Sequence, residues 1–249
     1  MIPVEEDAVN AQGKHFTIEK AGCGEHSCAA GAGALYYLYK KRRCSAGSGP
    51  ERWKGVILMS VMEKLLTRRT YRRFEQKAVP QEVVDDIVEA LRLSSSGANR
   101  QAVRLVVVRS PELVDKVQPL VKWAGYLPPE QGTPKAGEQP TLYVAVVQDT
   151  SIQGDLNTDT GIALANMTLA AWDKGVGSCI MGAINKPALS ELLGIAEPEK
   201  LAFMVAFGYP AHQAHIVPMT EETGIRYYLD ADRSYCVPKR SKEELARYL

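Results

Sequence analysis

The sequence lacks any apolar run of the roughly 18 residues that a membrane-spanning helix needs. Its first residues, MIPVEEDAVNAQGK, carry acids where a secretory signal has a basic end followed by an apolar stretch. The five cysteines are odd in number and scattered over a long chain, which does not suit a disulfide framework. Together these absences predict a cytoplasmic protein.

The sequence also lacks an excess of charge of either sign. Lys and Arg total 30 against 29 Asp and Glu, so the net charge of +1 gives no global field that would attract nucleic acid or an anionic membrane. Any bound anion must therefore be held by a local cluster. We find no internal repeat, no Ser-His-Asp elbow, no Walker loop and no HExxH motif, which leaves the common hydrolase and nucleotidase signatures without support.

What is present is an ordinary globular composition, 249 residues of which 45% are hydrophobic, enough for one domain and a short extension. Regular patterns begin at Val56. Apolar spacing and capping signals predict helices ending near Arg68, following Pro80, beginning at Ser110-Pro111, over about 158–175, from Asn185 to Gly194, and after Ser241. Apolar runs predict buried strands at Leu105–Val108, Leu142–Val147, Ser178–Ile184 and Leu201–Phe207. Because helices and strands do not alternate strictly, an α+β layered fold is favoured over a doubly wound one.

The densest chemical feature is Arg68-Arg69-Thr70-Tyr71-Arg72-Arg73-Phe74, where a helix end meets an extended segment. Guanidinium groups bind phosphate through charge and fork geometry, and a hydroxyl adds a further hydrogen bond. Taken alone, the run is more typical of a solvated basic face, which is what runs of charge usually are.

Three further segments have ordinary interpretations when each is read alone. The hydroxyl- and amide-rich stretch Leu93–Gln101 is typical of a turn, and Gly177–Gly182 of a strand with a close-packed glycine. The third, Val237–Ser241, suits a basic stretch before a capped helix.

In this order, however, the motifs RRTYRRF, SSGANRQ, DTGIALAN, GVGSCIMG and GYP resemble those of the nitroreductase family of flavoenzymes, over about residues 60–249. Each motif is weak alone, and the ordered set is specific. The resemblance implies a layered α+β fold in which helices flank a mixed, mainly antiparallel sheet. It also implies an intertwined homodimer with FMN held at the subunit interface.

Matched position by position, the resemblance implies where FMN is held. Its phosphate and ribityl chain would be bound by Arg68, Arg69 and Thr70, with Lys239 and Arg240 of the tail closing on the phosphate. Arg72 would lie near the flavin N1 and O2 edge, where a cation stabilises the charge left by reduction.

The remaining implied contacts are to the flavin ring. Asn99 and Gln101 would hydrogen-bond its polar rim, and Ser95 and Ser96 would reach the flavin of the partner subunit. The backbone of Ile180, Met181 and Gly182 would pass beside the ring and address N5.

By the same resemblance, we expect an oxidoreductase that takes electrons from NADH or NADPH and reduces small nitroaromatic, quinone or similar electron-poor acceptors by a ping-pong mechanism. No side-chain acid or base is required for hydride transfer. The alternatives are a flavoenzyme of the same fold with other chemistry, such as reductive dehalogenation or flavin fragmentation, and a non-catalytic flavin-binding regulatory protein. Ala102-Val103 replace the family's usual Pro-Trp, and the loop Trp123–Pro140 that would shape the acceptor pocket carries no motif, so the acceptor is not predicted.

Residues 1–55 are rich in Gly, Ala and Ser and are interpreted as an extension, weakly structured or packed on the body, with residues 56–249 forming the flavin domain. The change in texture raises the hypothesis that the native product begins at Met59 or Met62. Cys23, His26, Cys28 and Cys44 could form a Cys3His zinc site, but we interpret the thiols as incidental and predict no metal.

Two other groups of potentially reactive side chains receive unremarkable interpretations. Cys179 is expected to be a buried apolar residue, since nothing beside it in sequence would activate the thiolate. His212 and His215 are expected to be a solvated pair in a polar loop.

Overall fold

The computed structural model describes residues 59–249, together with the backbone of two strands nearer the N-terminus, β1 (Glu6–Val9) and β2 (His15–Ile18). Chain contacts divide the protein into Met1–Leu58 and Met59–Leu249. In the first unit β1 and β2 pair antiparallel, with Glu6 opposite Ile18, although the sequence predicted no strand there. The rest of the predicted extension, including its possible zinc ligands, lies outside the described residues.

The second unit is built on a four-stranded sheet. Its strands are β3 (Val103–Val108), β4 (Leu142–Asp149), β5 (Gly177–Met181) and β6 (Glu199–Gly208), in the order β3-β4-β6-β5. Every neighbouring pair is antiparallel. The four predicted strands are therefore confirmed, with one correction: β5 ends at Met181, three residues before the predicted end at Ile184.

Both faces of this sheet are covered, which explains why β4 reads as a continuous apolar run and not as an alternating one. Tyr143, Ala145 and Val147 point into one core cluster, and Leu142, Val144 and Val146 into the other. The second cluster is closed by α2 (Gln81–Arg92) and α5 (Leu156–Asp173), whereas α3 (Pro111–Val117) and α6 (Lys186–Leu193) close the first.

The helices begin and end where local chemistry satisfies their free backbone groups. Helix α1 (Val61–Thr67) starts with a capping box between Ser60 and Glu63, and the C-terminal α7 (Lys242–Leu245) with one between Ser241 and Glu244. Asn185 caps α6, which ends at Gly194 in the left-handed conformation (φ 67°). A one-turn helix, α4 (Pro129–Gly132), lies in the loop between α3 and β4.

A second, three-stranded sheet follows β6 and was not predicted. It consists of β7 (Ala214–Pro218), β8 (Tyr228–Leu229) and β9 (Tyr235–Lys239), in the order β7-β9-β8. Residues 237–239, which taken alone could be a basic stretch before a capped helix, are the end of β9 and pair with residues 216–218 of β7, and the capped helix follows at Ser241. Such short strands carry little periodicity, and the pairing that stabilises them is not local.

Candidate functional site

The basic segment is attached to the edge of the main sheet through its backbone. The Tyr71 N–H donates to the Ser178 carbonyl at 2.9 Å, and Thr70 forms a bridge with Ser178, at the start of β5. Further along, Phe74 forms a bridge with Pro210, directly beyond β6. Residues 68–74 therefore run beside the start of β5 and the end of β6, and the predicted Ile180–Gly182 contact begins two residues after Ser178.

Two glycines make this attachment possible. Gly177 of β5 lies opposite Gly208 of β6 in the sheet register. A Cβ at Gly177 would stand 2.6 Å from the Tyr71 ring, and one at Gly208 would stand 2.8 Å from the Phe74 ring. Because both rings are buried, Gly177 of the GVGSCIMG motif and Gly208 of the GYP motif leave the space in which these rings pack. The two glycines thus allow the basic segment, residues 68–74, to lie against the sheet.

Several guanidinium groups of this segment each have one buried N–H donor without a partner. Within residues 59–249, the Nε atoms of Arg68, Arg69 and Arg72 have no hydrogen-bond partner, and none of the three side chains pairs with a carboxylate. Arg69 does donate through a terminal nitrogen to the Leu65 carbonyl at 2.6 Å. Its burial, with Arg68 beside it, lowers the pKa of its guanidinium. Buried N–H donors without partners on cationic groups are costly, so this arrangement favours an anion.

Arg72 is clamped by aromatic side chains. Its Cζ lies 4.5 Å from the centre of the Tyr227 ring and 4.7 Å from that of Tyr235, distances at which the rings attract a cation. Its backbone N–H donates to Nε2 of His212 at 3.0 Å. The Arg72 guanidinium, which was predicted to lie near the flavin N1 and O2 edge, is therefore held in place by the Tyr227 and Tyr235 rings.

The prediction that His212 belongs to a solvated pair was wrong. Its ring packs between those of Tyr71 and Tyr235, at 5.3 and 4.8 Å, while His215 is exposed as expected. Burial lowers the pKa of His212 to about 4, helped by the neighbouring Arg73 and Arg72, although the Gln213 carbonyl at Nδ1 opposes the shift. The imidazole is therefore neutral at physiological pH and accepts the hydrogen bond from Arg72.

The loop carrying Ser95, Ser96, Asn99 and Gln101 contains a 3-10 turn, Gly97–Asn99. Asn99 and Gln101 have φ values of 54° and 51°, a conformation that residues with a Cβ rarely adopt. Ser95, Asn99 and Gln101 are exposed, and Ser96 is half-buried. The loop borders a cavity of about 240 Å³ between β3 and the helices α2 and α5.

The three residues predicted beside the flavin ring differ in exposure. The Ile180 side chain is 40% exposed, whereas Met181 is 4% exposed and belongs to the core, so Met181 can offer only its backbone. Gly182 is exposed, and a Cβ there would lie 3.3 Å from the Phe203 ring. Lack of a side chain at Gly182 thus relieves crowding on Phe203.

The described contacts do not bring the two predicted cations of the tail onto the Arg68 cluster, which consists of Arg68, Arg69 and Thr70. Lys239 ends β9 and is exposed, roughly 13 Å along the strand from Tyr235 at about 3.3 Å per residue. Arg240 is exposed and pairs with Glu244 at 3.2 Å. Their approach to a phosphate stays a prediction.

Within one chain, the basic segment and the Ser95–Gln101 loop lie towards opposite ends of α5. Trp172, in the last turn, donates to the Thr67 hydroxyl at 2.9 Å just before the basic segment. Asp159, in the first turn, accepts a hydrogen bond from the Gly97 N–H at 2.9 Å. Asp159 and Trp172 are roughly 20 Å apart along the helix at 1.5 Å per residue.

Sequence reasoning missed several residues of this site. Arg73 was quoted within the motif but given no role, although it is 5% exposed and donates to the Arg233 carbonyl at 2.6 Å. Tyr227 and Tyr235 lie far from Arg72 in sequence and carry no motif. The one available signal was the density of aromatic residues after Arg226, which marked a buried patch but not what it covers.

Two other features of the described residues bear on function. Among residues 59–249, no group of three or more His, Cys, Asp or Glu side chains is arranged to hold a metal ion. None of the helices described is long and apolar enough to cross a membrane. Cys179 is 5% exposed, and burial raises the pKa of its thiol to about 11, which confirms its interpretation as an apolar core residue.

The fold and the site together define a layered α+β protein in which the arginine-rich segment 68–74 packs against Gly177 and Gly208 at the edge of the main sheet. The sequence model of the nitroreductase family matches residues 65–209, and the chain therefore belongs to the nitroreductase family. This confirms the predicted family and its fold.

Comparisons with known proteins agree with this assignment. A Methanothermobacter thermautotrophicus protein, described as a candidate NADH dehydrogenase/NAD(P)H nitroreductase, is 26% identical over 185 residues, covering 72% of this chain and 87% of its own. The NAD(P)H-using FMN reductase of Bacillus subtilis is 26% identical over 215 residues, covering 76% and 82%. A crystal structure of a nitroreductase family protein from Clostridium difficile aligns with a TM-score of 0.53 at 19% identity, covering 66% of this chain and 90% of that one. At that identity, the likeness shows the fold alone.

Proposed function

We propose that the protein is an FMN-dependent oxidoreductase that takes electrons from NADH or NADPH and passes them to a small electron-poor acceptor. The observation that carries the proposal is the set of buried, unpartnered Nε atoms on Arg68, Arg69 and Arg72. The names of the Bacillus subtilis and Methanothermobacter thermautotrophicus relatives support the same cofactor and donor.

The residues present fit a flavin mononucleotide. Its phosphate carries about two negative charges at neutral pH, and such an anion would accept hydrogen bonds from the Nε donors of Arg68 and Arg69, which residues 59–249 leave without acceptors. Arg68, Arg69 and the Thr70 hydroxyl would hold the phosphate and ribityl chain, and the backbone at Ile180–Gly182 would line the ring. Lys239 and Arg240 would join the phosphate only if Arg240 released Glu244.

Arg72 would stabilise negative charge at one edge of the ring. Bound FMN supplies the two-electron transfer between nicotinamide and acceptor, and this chain supplies the charge and position that the transfer needs. The Tyr227 and Tyr235 rings restrict the Arg72 guanidinium, so little reorganisation is needed when charge develops. No side-chain acid or base is required, and donor and acceptor would use one site in turn, as in a ping-pong scheme.

We further propose that the active form is a homodimer. Val61, Met62, Leu65 and Leu66 leave an apolar surface on α1, each more than two-fifths exposed, beside the Arg68 cluster. The predicted helix at 158–175 leaves Ile162 and Leu169 half-buried and Ala165 exposed, on a face that residues 59–249 of one chain do not cover. In such a dimer the whole Ser95–Gln101 loop, including Asn99 and Gln101, would act on the flavin of the partner subunit.

The compartment follows from the same chemistry. NADH and NADPH are supplied in reducing compartments, and Cys179 and Cys236 are free buried thiols in the described part of the chain. A cytoplasmic location is therefore part of the proposal.

The test begins with the visible spectrum of purified protein and identification of any released cofactor. We expect a yellow protein containing FMN, whose colour is bleached by NADH or NADPH in a stopped-flow experiment. Arg68→Ala and Arg69→Ala should each weaken FMN binding by about ten-fold or more, because each removes a charge-assisted phosphate contact of about 1.5–3 kcal/mol. Arg109→Ala, at the exposed end of β3, is the matched control and should bind as the wild type does.

The outcomes separate the candidate functions. Protein that stays colourless with excess FMN would overturn the proposal, and protein that binds FMN but is not bleached would be a flavin-binding regulator. Assays with nitroaromatics, quinones and halogenated phenols would then distinguish a nitro- or quinone reductase from a reductive dehalogenase. Sedimentation of wild type and Leu66→Asp tests the dimer, since the charged variant should be monomeric and lose FMN.

A further inference from the structure

The two polar ends of the DTGIALAN motif (residues 159–166), Asp159 and Asn166, are left without a role by the proposed function, and both contact the loop that carries Asn99 and Gln101. Asp159 Oδ1 accepts from the Gly97 N–H at 2.9 Å, and Asn166 Nδ2 donates to the Ser94 hydroxyl at 2.9 Å. The two motif residues are seven positions apart, so they lie on the same face of α5, two turns from each other.

The loop needs such support because its backbone is strained. Ala98, Asn99 and Gln101 all have φ between 50° and 54°, the left-handed region that disfavours residues with a Cβ. Contacts inside the loop contribute, since the Gln101 N–H donates to the Ser96 hydroxyl at 3.1 Å. A short loop keeps this conformation only when the structure around it over-determines it.

Asp159 differs from the charged residues that usually cover the solvent-exposed face of a helix, because its side chain is buried. It is 7% exposed and forms no ion pair within residues 59–249, so its carboxylate depends on hydrogen bonding and on the N-terminal end of α5. Its hydrogen bond from Gly97 joins the start of the 3-10 turn to the most buried helix of the domain. Asn166 is exposed, and its contact with Ser94 is expected to contribute less.

We propose that Asp159 and Asn166 are positioning residues that fix the strained loop, so that Asn99 and Gln101 meet the flavin in one geometry. This inference rests on the proposed function only for what the loop meets. The anchoring of the loop is a property of the flavin-free chain and is tested separately.

The first experiment measures amide hydrogen exchange across residues 94–101 in flavin-free protein. Asp159→Ala removes the acceptor, and we expect exchange at Gly97–Gln101 to be about ten-fold faster or more. Asp159→Asn is the matched control, because its side-chain oxygen can still accept from Gly97, and exchange should stay within about three-fold of wild type. Equal exchange in all three proteins would overturn the anchoring role.

A second pair of variants changes Gly97, the donor in the loop, instead of Asp159. The test therefore does not depend on whether the Asp159 variants fold correctly. Gly97→Pro removes the donor N–H, and the preceding Ser96 is extended (φ −137°, ψ 151°), as a residue before proline should be. Gly97→Ala keeps the N–H, and its Cβ would have its nearest neighbour at 3.8 Å. Combining Gly97→Pro with Asp159→Ala should add little to either change alone, because both break the same bond. Fully additive effects would contradict the proposal.

The second readout is the dissociation constant for FMN, followed by fluorescence quenching. Asp159→Ala should weaken binding about ten-fold, Asn166→Ala about three-fold, and Asp159→Asn should restore the wild-type value. If the loop loosens but FMN affinity is unchanged, the loop does not position flavin contacts and the inference fails. If the wild type itself binds no FMN, the proposed function fails, while the exchange experiment still decides the anchoring.

Discussion

The most direct prediction concerns Gly177, against which the Tyr71 ring packs. In Gly177→Ala the new Cβ would stand 2.6 Å from Tyr71 Cδ2 and 2.9 Å from Pro210 Cγ. Ordinary carbon–carbon contacts are about 3.5–4.0 Å, so the ring would have to withdraw by about 1 Å. Tyr71 is 6% exposed and stacks on Trp172 with ring centres 5.2 Å apart, which leaves it no room to do so.

Overpacking of this kind costs about 1–3 kcal/mol. For a domain of this size, that corresponds to a fall in Tm of roughly 2–12 °C at about 2–4 °C per kcal/mol. Thermal unfolding of the flavin-free protein, followed by circular dichroism, measures the change. FMN affinity should fall as well, because the displaced Tyr71 lies between Arg69 and Arg72.

Gly125→Ala is the control, since a Cβ there has no heavy atom within 4 Å and Gly125 does not have a left-handed φ. Its Tm should stay within about 1 °C of wild type, as for most surface changes. Placing Gly177→Ala in a Tyr71→Ala background should remove part of the cost, because the clashing ring is gone while Pro210 Cγ stays at 2.9 Å. A Gly177→Ala protein as stable as wild type would show that the Tyr71 ring does not pack against Gly177. The packing of residues 68–74 on Gly177 and Gly208 would then be refuted.

Three further predictions follow from the same region. Arg72→Lys keeps the charge but not the flat guanidinium between Tyr227 and Tyr235, so urea unfolding should report a loss of about 1–2 kcal/mol; an unchanged midpoint would contradict the clamp. His212 has an ordinary pKa near 6.5 when unfolded and about 4 when folded, so the unfolded chain takes up the proton first and stability falls between pH 6.5 and 4. In His212→Gln that fall should be smaller by up to about 3 kcal/mol, and parallel urea midpoints across this range would refute it. Cys179, buried and with a raised thiol pKa, should react with iodoacetamide at pH 8 only after unfolding, as read by mass spectrometry of its peptide; rapid native labelling would disprove its burial.

The main sheet and its helices could be predicted because their signals are local. The apolar run at Leu142–Val147 is long enough to identify a buried strand, and Asn185 with Gly194 marks both ends of α6. The end of β5 was predicted three residues late, since Ala183 and Ile184 continue the apolar pattern after the pairing with β6 has stopped. The small sheet escaped prediction because β7 and β9 are short and each has meaning only beside the other.

For the candidate site, the order of the motifs predicted which basic residues hold the flavin, and that assignment stays a prediction; the packing that joins the motifs could not be predicted. In the sequence, Gly177 and Gly208 belong to two separate motifs. Only the register of β5 and β6 places them side by side, where together they leave space for the Tyr71 and Phe74 rings. His212 was misjudged for the same reason: its neighbours in sequence are polar, whereas its neighbours in space are Tyr71, Tyr235 and the Arg72 backbone.

The sequence by itself determined the family, the class of fold and the chemical character of the site, because motif order, apolar periodicity and a run of guanidinium groups are all properties of the chain as written. Tertiary structure alone decided which arginine Nε atoms are buried without a hydrogen-bond acceptor and which aromatic ring packs against which glycine. It also decided that Asp159 accepts a hydrogen bond from Gly97, 62 residues earlier in the chain. These depend on burial and on distances between residues far apart in sequence, and a buried charge or a close contact acquires its free energy only when the chain is packed.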